Sequence, residues 1–187
     1  AGFLARYGTD LSNQEYRRAI DLSSAFPEAH LCLAINLADA GQLESALSQL
    51  EIAIRLAPDD LLIRHELASV LMDLGHLPAA IKHLKSILSV APDSIEALVD
   101  LGLAYTTQGF HDQAEQTLQL ALKLDPTDFA THYALCALYA VSDRLLPALR
   151  HAQIASQADS ARFRLWASQD KMFRNLEHNE NFIKLIN

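Results

Sequence analysis

The 34 residues from 61 to 94 read LLIRHELASVLMDLGHLPAAIKHLKSILSVAPDS, and the same layout recurs before and after them. Proline returns at this interval as Pro58, Pro92 and Pro126, and each is followed by acidic or hydroxyl side chains. Glycine and alanine return in the same phase, as Gly41, Gly75 and Gly109 and as Ala46, Ala80, Ala114 and Ala148. Three residue types that keep one period indicate a repeated structural unit.

Counted from Pro27 as place 1, the chain divides into four full repeats between two partial segments. The boundaries are 1–26, 27–60, 61–94, 95–128, 129–162 and 163–187. In 61–74, Leu67, Ala68, Leu71 and Leu74 have the spacing of one helix face, and a second apolar-periodic segment follows the glycine. Each repeat therefore predicts two helices joined by a tight turn.

The residues between these segments agree with helix ends. Glycine suits a helix C-terminus, and proline stops a helix or opens its first turn. We expect the Asp, Ser and Thr residues after the prolines to cap the next helix, at about 1 kcal/mol each. Places 8 and 20 hold small residues throughout, which predicts closely packed helix pairs. Large apolar residues occupy places 7, 11 and 24, and they become fully buried only if neighbouring repeats stack.

Over residues 27–160 this pattern resembles the tetratricopeptide repeat (TPR) family, because eight places match in four repeats. The resemblance implies an all-α, right-handed α-solenoid of helix-turn-helix repeats. Residues 1–26 resemble a partial N-terminal TPR. The chain departs from the family at place 4, where His30, Arg64, Leu98 and His132 replace an aromatic residue, at Ile87 and at Ser160. These departures predict weaker local packing.

Residues 163–187 have lost the repeat but keep two short amphipathic segments. The first interpretation is a pair of capping helices over the last repeat, since terminal repeats must be shielded from water. The alternative is a docking or self-association patch built on Trp166 and Phe173.

Composition limits the possible partners. The chain is 50% hydrophobic and carries 15 Lys and Arg against 23 Asp and Glu, a net charge of −8. This charge disfavours nucleic acid and anionic lipid and favours a basic or apolar protein partner. No apolar run is long enough to cross a membrane. Two distant cysteines favour the reducing cytoplasm. The chain begins at Ala1 rather than Met, so a lost signal or anchor stays an open alternative.

Catalytic and metal-binding patterns are scarce. His65 and Glu66 begin like a zinc-protease helix, but Ser69 stands where the second histidine is needed. The histidines lack the spacing of a tetrahedral metal site. We therefore expect no enzyme activity, no cofactor and no metal.

The resemblance to TPR proteins implies that the first helix of each repeat lines a concave groove that holds a peptide or a partner protein. Carried onto this sequence, the implied groove residues are Glu28, Leu31, Ile35, Asp39, Glu66, Ser69, Asp73, Glu96, Val99, Asp100, Leu103 and Tyr133. This groove would be acidic in the first three repeats and apolar in the fourth. The Lys, Asn and Arg clamp with which some TPR domains hold a chaperone tail is absent from these places.

Three functions stay open from the sequence. The leading one is a TPR adaptor or scaffold that binds a basic and apolar segment of a partner protein in the acidic groove. The second is a self-assembling structural module that forms homo-oligomers through its repeat ends. The third is the regulatory TPR region of a larger enzyme, such as a protein-modifying transferase.

Overall fold

The structure is a computed structural model that describes residues 2–186, with side chains from residue 12 onward. Within that range the chain is helical, and no strand is present. The α-helices are α1 (Gly2–Leu22), α2 (Pro27–Asp39), α3 (Leu43–Leu56), α4 (Leu61–Asp73), α5 (Leu77–Val90), α6 (Ile95–Thr107), α7 (His111–Leu124), α8 (Phe129–Val141), α9 (Leu145–Ala158), α10 (Ser160–Ala167) and α11 (Glu180–Ile186), with a 3₁₀ helix at Lys171–Leu176. The predicted helix pairs are confirmed.

The helices form two compact units, of which the first ends at Ile87 and the second begins at Leu88, inside α5. In the N-terminal unit α2 packs on α1 and α3, and α3 packs on α4. In the C-terminal unit α6 pairs with α7 and α8 with α9, while α6 also contacts α8. In the N-terminal unit α2 also contacts α4. The first helices of successive repeats are therefore neighbours in both units.

The small residues lie where the two helices of a repeat touch. Ala46, Ala80, Ala114 and Ala148 at place 20 are fully buried. At place 8, a Cβ atom added to Gly102 would lie 2.5 Å from Cγ of Leu118 on the partner helix. The predicted close packing is confirmed, and at Gly102 it leaves no room even for a methyl group.

Turns and caps follow the sequence signals. Gly41, Gly75 and Gly109 have φ angles of 74°, 76° and 79°, in the left-handed region that glycine adopts without steric cost. The capping prediction is also confirmed, because the side chains of Asp60, Ser94 and Asp128 accept hydrogen bonds from the first turns of α4, α6 and α8. These bonds satisfy amide groups that have no partner inside the helix.

Side chains at place 4 form hydrogen bonds to the backbone that the sequence did not predict. Nε2 of His132 donates a hydrogen bond to the carbonyl oxygen of Pro126, at 2.9 Å. Arg64 donates to the carbonyl of Pro58 in the same relation. Each side chain reaches the residue six positions before it, at the end of the preceding repeat. A polar residue at this place can therefore hold the junction between two repeats.

The C-terminal segment covers the last repeat with three short helices rather than the predicted two. Phe163, Phe173 and Phe182 are at most 1% exposed, and the ring of Phe182 contacts the rings of both Phe163 and Phe173. The 3₁₀ helix packs on α8, and both α10 and α11 pack on α9. The alternative that placed Phe173 on a docking patch is wrong, because its ring is buried between Tyr133 and Phe182.

Helices long and apolar enough to span a bilayer were sought across the described residues, and none was found.

Candidate functional site

Two helices of the C-terminal unit present adjacent residues to a shared depression. Val99, Asp100 and Leu103 lie on one face of α6, because positions separated by one turn project on the same side. On α8, Ala130 and Tyr133 are likewise three residues apart. Because α6 contacts α8, the two faces meet and line a depression of about 470 Å³. We call it the α6–α8 pocket.

The third wall of the α6–α8 pocket comes from the C-terminal segment, through Trp166, Gln169 and Asp170. The hydroxyl of Tyr133 donates a hydrogen bond to Oδ2 of Asp170, at 2.9 Å. Oδ1 of the same carboxylate accepts from the amide of Met172, where the 3₁₀ helix begins. Asp170 therefore joins the wall of the pocket to the helix that covers α8.

Burial, followed by the charge of Asp170, raises the pKa of Tyr133 well above its usual value. The phenol consequently stays protonated and acts as a donor. Tyr133 is 6% exposed, and its ring meets the Trp166 ring edge-on, with centroids 5.3 Å apart. Trp166 itself is 41% exposed and also packs edge-on against Phe129. The pocket thus offers a fixed, half-exposed indole beside two carboxylates.

The structure brings four of the five groove residues predicted for this unit into one place. Val99, Asp100, Leu103 and Tyr133 all line the α6–α8 pocket. Val99 and Tyr133 are largely buried, so Asp100 and Leu103 offer the more accessible predicted surface. Glu96, the fifth, is exposed in the first turn of α6 and is not among the lining residues.

The predicted groove residues of the N-terminal unit lie on α2 and α4. On α2, Leu31 is buried and belongs to the core, while Ile35 is half-buried and packs against that core. Glu28 and Asp39 are exposed near the two ends of α2. On α4, Glu66 and Ser69 are half-buried and Asp73 is exposed.

Two contributors to the pocket escaped the sequence analysis. Gln169 and Asp170 come from the connection between α10 and the 3₁₀ helix, outside the repeat, so no periodic pattern marks them. The sequence offers Trp166 only as part of an alternative docking or self-association patch, and its position in the same pocket as Asp100 depends on how the C-terminal segment folds back onto α8.

A second side-chain contact, between two histidines, joins places of the repeat that also meet in another repeat. Nδ1 of His132 lies 2.8 Å from Nδ1 of His151, and the two residues occupy places 4 and 23. Because Nε2 of His132 donates to Pro126, its Nδ1 accepts the proton of His151. The same two places join His30 to Gln49 in the first full repeat, at 2.9 Å. A spacing of 19 residues therefore marks this contact.

Groups of three or more His, Cys, Asp or Glu side chains able to hold a metal ion do not occur among the described residues. Burial raises the pKa of the Cys136 thiol well above its usual value, which disfavours the reactive thiolate.

Comparison with known proteins bears on the fold. Residues 71–139 match the family model for the tetratricopeptide repeat. No curated protein matches the sequence significantly. Similar solved structures include residues 41 to the end of MamA from Desulfovibrio magneticus RS-1, at 22% identity and a TM-score of 0.73, covering 89% of this chain and 90% of that one.

Two further structures extend the likeness. TTC0263, a thermophilic TPR protein in Thermus thermophilus, is 26% identical with a TM-score of 0.71, covering 87% of this chain and 90% of that one. YrrB, a TPR protein with an unusual peptide-binding site, is 18% identical with a TM-score of 0.68, covering 89% and 86%. The matched family model places tetratricopeptide repeats in residues 71–139, and the repeated helix pairs together with these likenesses show an α-solenoid fold of the TPR type.

Proposed function

We propose that this chain is a protein-binding module that holds a basic and apolar segment of a partner protein along the first helices of its repeats. The observation that carries the proposal is the α6–α8 pocket. It combines the carboxylates of Asp100 and Asp170 with apolar surface from Leu103 and the half-exposed indole of Trp166. Its lining residues include no Lys, Arg or His.

Each part of this surface has a role in binding. Apolar contact with Trp166 and Leu103 supplies affinity, since aromatic residues contribute most where a partner fully desolvates them. The carboxylate of Asp100 selects a cationic side chain and speeds encounter. Asp170 is held by Tyr133 and Met172, so its charge is fixed in place before a partner arrives.

The distribution of charge supports the same partner chemistry. The repeats 27–60 and 95–128 each carry six acidic residues and one basic residue, a net charge of −5 apiece. Glu66 and Asp100 lie inside their helices, where the helix dipole gives a carboxylate little stabilisation. Asp39 is the last residue of α2, where the dipole disfavours it. Acidic residues at such positions fit a binding role better than a structural one.

Trp166 provides a direct test, because it is the single tryptophan of the chain. The probe is a peptide library of about 15-residue sequences displayed against the full chain, followed by titration of selected peptides against tryptophan fluorescence. We expect the library to yield peptides that are rich in Lys, Arg and apolar residues and that shift the emission of Trp166. Failure to select any such basic peptide, or basic peptides that bind without any change at Trp166, would contradict the proposal.

Charge reversal then tests the mechanism. Asp100→Lys should weaken binding of a selected basic peptide by about tenfold or more, because attraction becomes repulsion in a partly desolvated pocket. The matched control is Glu51→Lys, the same charge change at an exposed position inside α3. An equal loss in both variants would mean that net charge, and not the pocket, attracts the peptide.

A further inference from the structure

A second surface of the C-terminal unit has the opposite chemistry. Helix α9 packs against α11, and between them lies a depression of about 480 Å³. A second depression, of about 430 Å³, lies beside it among residues of α7, α8 and α9. Leu146 and Arg150 line both, so the two depressions are adjacent. We call this surface the α9–α11 face; its central residues are Leu146, Leu149, Arg150, Lys184 and Leu185.

The apolar part of the α9–α11 face is open to solvent at its centre, where Leu146 is exposed, while Leu149 and Leu185 are half-buried. Leu146 is 80% exposed, and the adjacent Leu145 is 42% exposed. Leu146 occupies place 18, where the repeats 27–60 and 95–128 carry Glu44 and Asp112 in the first turn of the same helix. An acidic residue is the locally favoured choice there, because it complements the N-terminus of a helix. The fourth repeat instead presents a leucine to solvent.

The charged part of this face is basic in an acidic protein. No carboxylate lines either depression, whereas Arg144, Arg150 and Lys184 do. Arg144 is paired with Glu115, but neither Arg150 nor Lys184 forms a salt bridge with another described residue. From residue 129 onward the chain has seven Lys and Arg against five Asp and Glu, although the whole carries −8. His151 adds no charge near neutrality, because burial lowers its pKa to about 4.

We propose that the α9–α11 face is a second docking site, which binds an acidic amphipathic segment of a partner protein. Leucine or phenylalanine side chains of that segment pack among Leu146, Leu149 and Leu185, and its carboxylates meet Arg150 and Lys184. Charge complementarity selects this occupant, because two cations that form no salt bridge within the described part of the chain flank an apolar strip whose central residue, Leu146, is exposed. The site is independent of the α6–α8 pocket and stands whether or not that pocket binds a basic segment.

Two labelled peptides distinguish the surfaces. One is about 15 residues long, with leucine at helical spacing and glutamate elsewhere; the other replaces every glutamate with lysine. Binding to the full-length chain is followed by fluorescence anisotropy. We expect the glutamate peptide to bind wild type, and to bind Leu146→Glu and Arg150→Glu at least tenfold more weakly. Binding should also weaken as the ionic strength rises to about 1 M.

The variants are chosen so that folding does not confound the result. Leu146→Glu restores the residue type found at Glu44, and Leu146 is nearly free of contacts, so helicity and thermal stability should be retained. Leu62→Glu is the matched control: Leu62 is 57% exposed on α4, and Glu28 and Glu96 occupy its place in other repeats. This control should bind the glutamate peptide as wild type does.

Asp100→Lys separates this proposal from the first one, since it should leave the glutamate peptide bound. Failure of the glutamate peptide to bind wild type, or equal binding by wild type and Leu146→Glu, would overturn the second site. Self-association of the wild-type chain that Leu146→Glu abolishes would also overturn it, because the occupant would then be a second copy. Loss of lysine-peptide binding alone would bear only on the α6–α8 pocket.

Discussion

The repeats 95–128 and 129–162 build the same helix pair with different side chains. In the third repeat Gly102 lies against Leu118, places 4 and 23 hold Leu98 and Thr117, and Gly109 forms the turn. In the fourth repeat Cys136 lies against Ala152, places 4 and 23 hold His132 and His151, and Asp143 forms the turn. Where one member of the tight pair grows, the other shrinks. The comparison teaches that the fold needs a filled volume, satisfied polar groups and a left-handed turn, and that several residue combinations supply each.

The largest expected effect comes from exchanging the tight pair. Gly102→Cys alone should destabilise the protein by about 1–3 kcal/mol, because its Cβ would overlap Leu118. Leu118→Ala alone leaves a cavity at a fully buried site and should cost about 2–5 kcal/mol. The double variant recreates the pair of the fourth repeat, so its loss should be smaller than the sum by about 1 kcal/mol or more. Urea unfolding followed by circular dichroism measures these differences.

Leu120→Ala is the control for this cycle. Leu120 lies on the same helix as Leu118 but is 51% exposed, so its removal should change the free energy of unfolding by about 0.5 kcal/mol or less. Additive losses in the double variant would show that the two positions do not compensate each other.

The histidine pair should make the fourth repeat sensitive to acid. His151 faces His132 and the ring of Tyr139 on α8, with Arg150 next to it on α9. Burial lowers the pKa of His151 to about 4, with the neighbouring His132 and Arg150 adding to the shift. The unfolded chain therefore binds a proton on His151 that the folded chain does not, between pH 6.5 and about 4. The contribution of His151 to stability is therefore fully present above pH 6.5 and is lost as the pH falls through this window.

Urea midpoints measured across that window test the effect. The double variant His132→Leu/His151→Thr installs the third repeat's Leu98 and Thr117, and its stability should fall less with acid than that of wild type. A parallel decrease in both proteins would assign the acid sensitivity to other groups.

The smallest expected effect lies in the turns. Asp143 has a φ angle of 55°, where Gly109 has 79°. Gly109→Asp should cost about 1 kcal/mol, because a side chain is disfavoured in this conformation even though no atom crowds the added Cβ. Asp143→Gly removes that cost but also a hydrogen bond, since Nδ2 of Asn175 donates to Oδ1 of Asp143 at 2.7 Å. Its change in melting temperature should therefore be smaller than that of Gly109→Asp.

The variant Asn175→Ala tests whether the hydrogen bond from Asn175 stabilises Asp143 in this turn. It keeps the strained aspartate but removes its partner, so Asp143→Gly should stabilise the Asn175→Ala protein more than it stabilises wild type. Equal effects in the two backgrounds would show that Asn175 does not support the turn.

Most of the helical architecture could be predicted from the sequence, because the signals are local and repeat. Pro58 marks one junction, Gly75 marks one turn, and Ala80 marks one close contact; each recurs a period away. A weak preference at one position becomes decisive when the same preference appears in phase in three or four repeats.

The pocket could be predicted only in part. Asp100 and Leu103 follow from their places in the repeat and the resemblance to TPR proteins. Asp170 and Gln169 do not, because residues beyond the last repeat have no periodic pattern that says where they fold back. The exposure of Leu146 was also hidden, since an apolar residue in an amphipathic helix looks the same in the sequence whether it is covered or not.

The sequence by itself determined the period, the helix pairs, their caps and the small residues that let helices approach, because these depend on backbone geometry and neighbouring side chains. Tertiary structure alone decided which residues meet: Tyr133 with Asp170, His132 with His151, and the leucines of α9 with α11. Those contacts join residues far apart in the chain, and their positions depend on how completely each surface is covered when the helices pack.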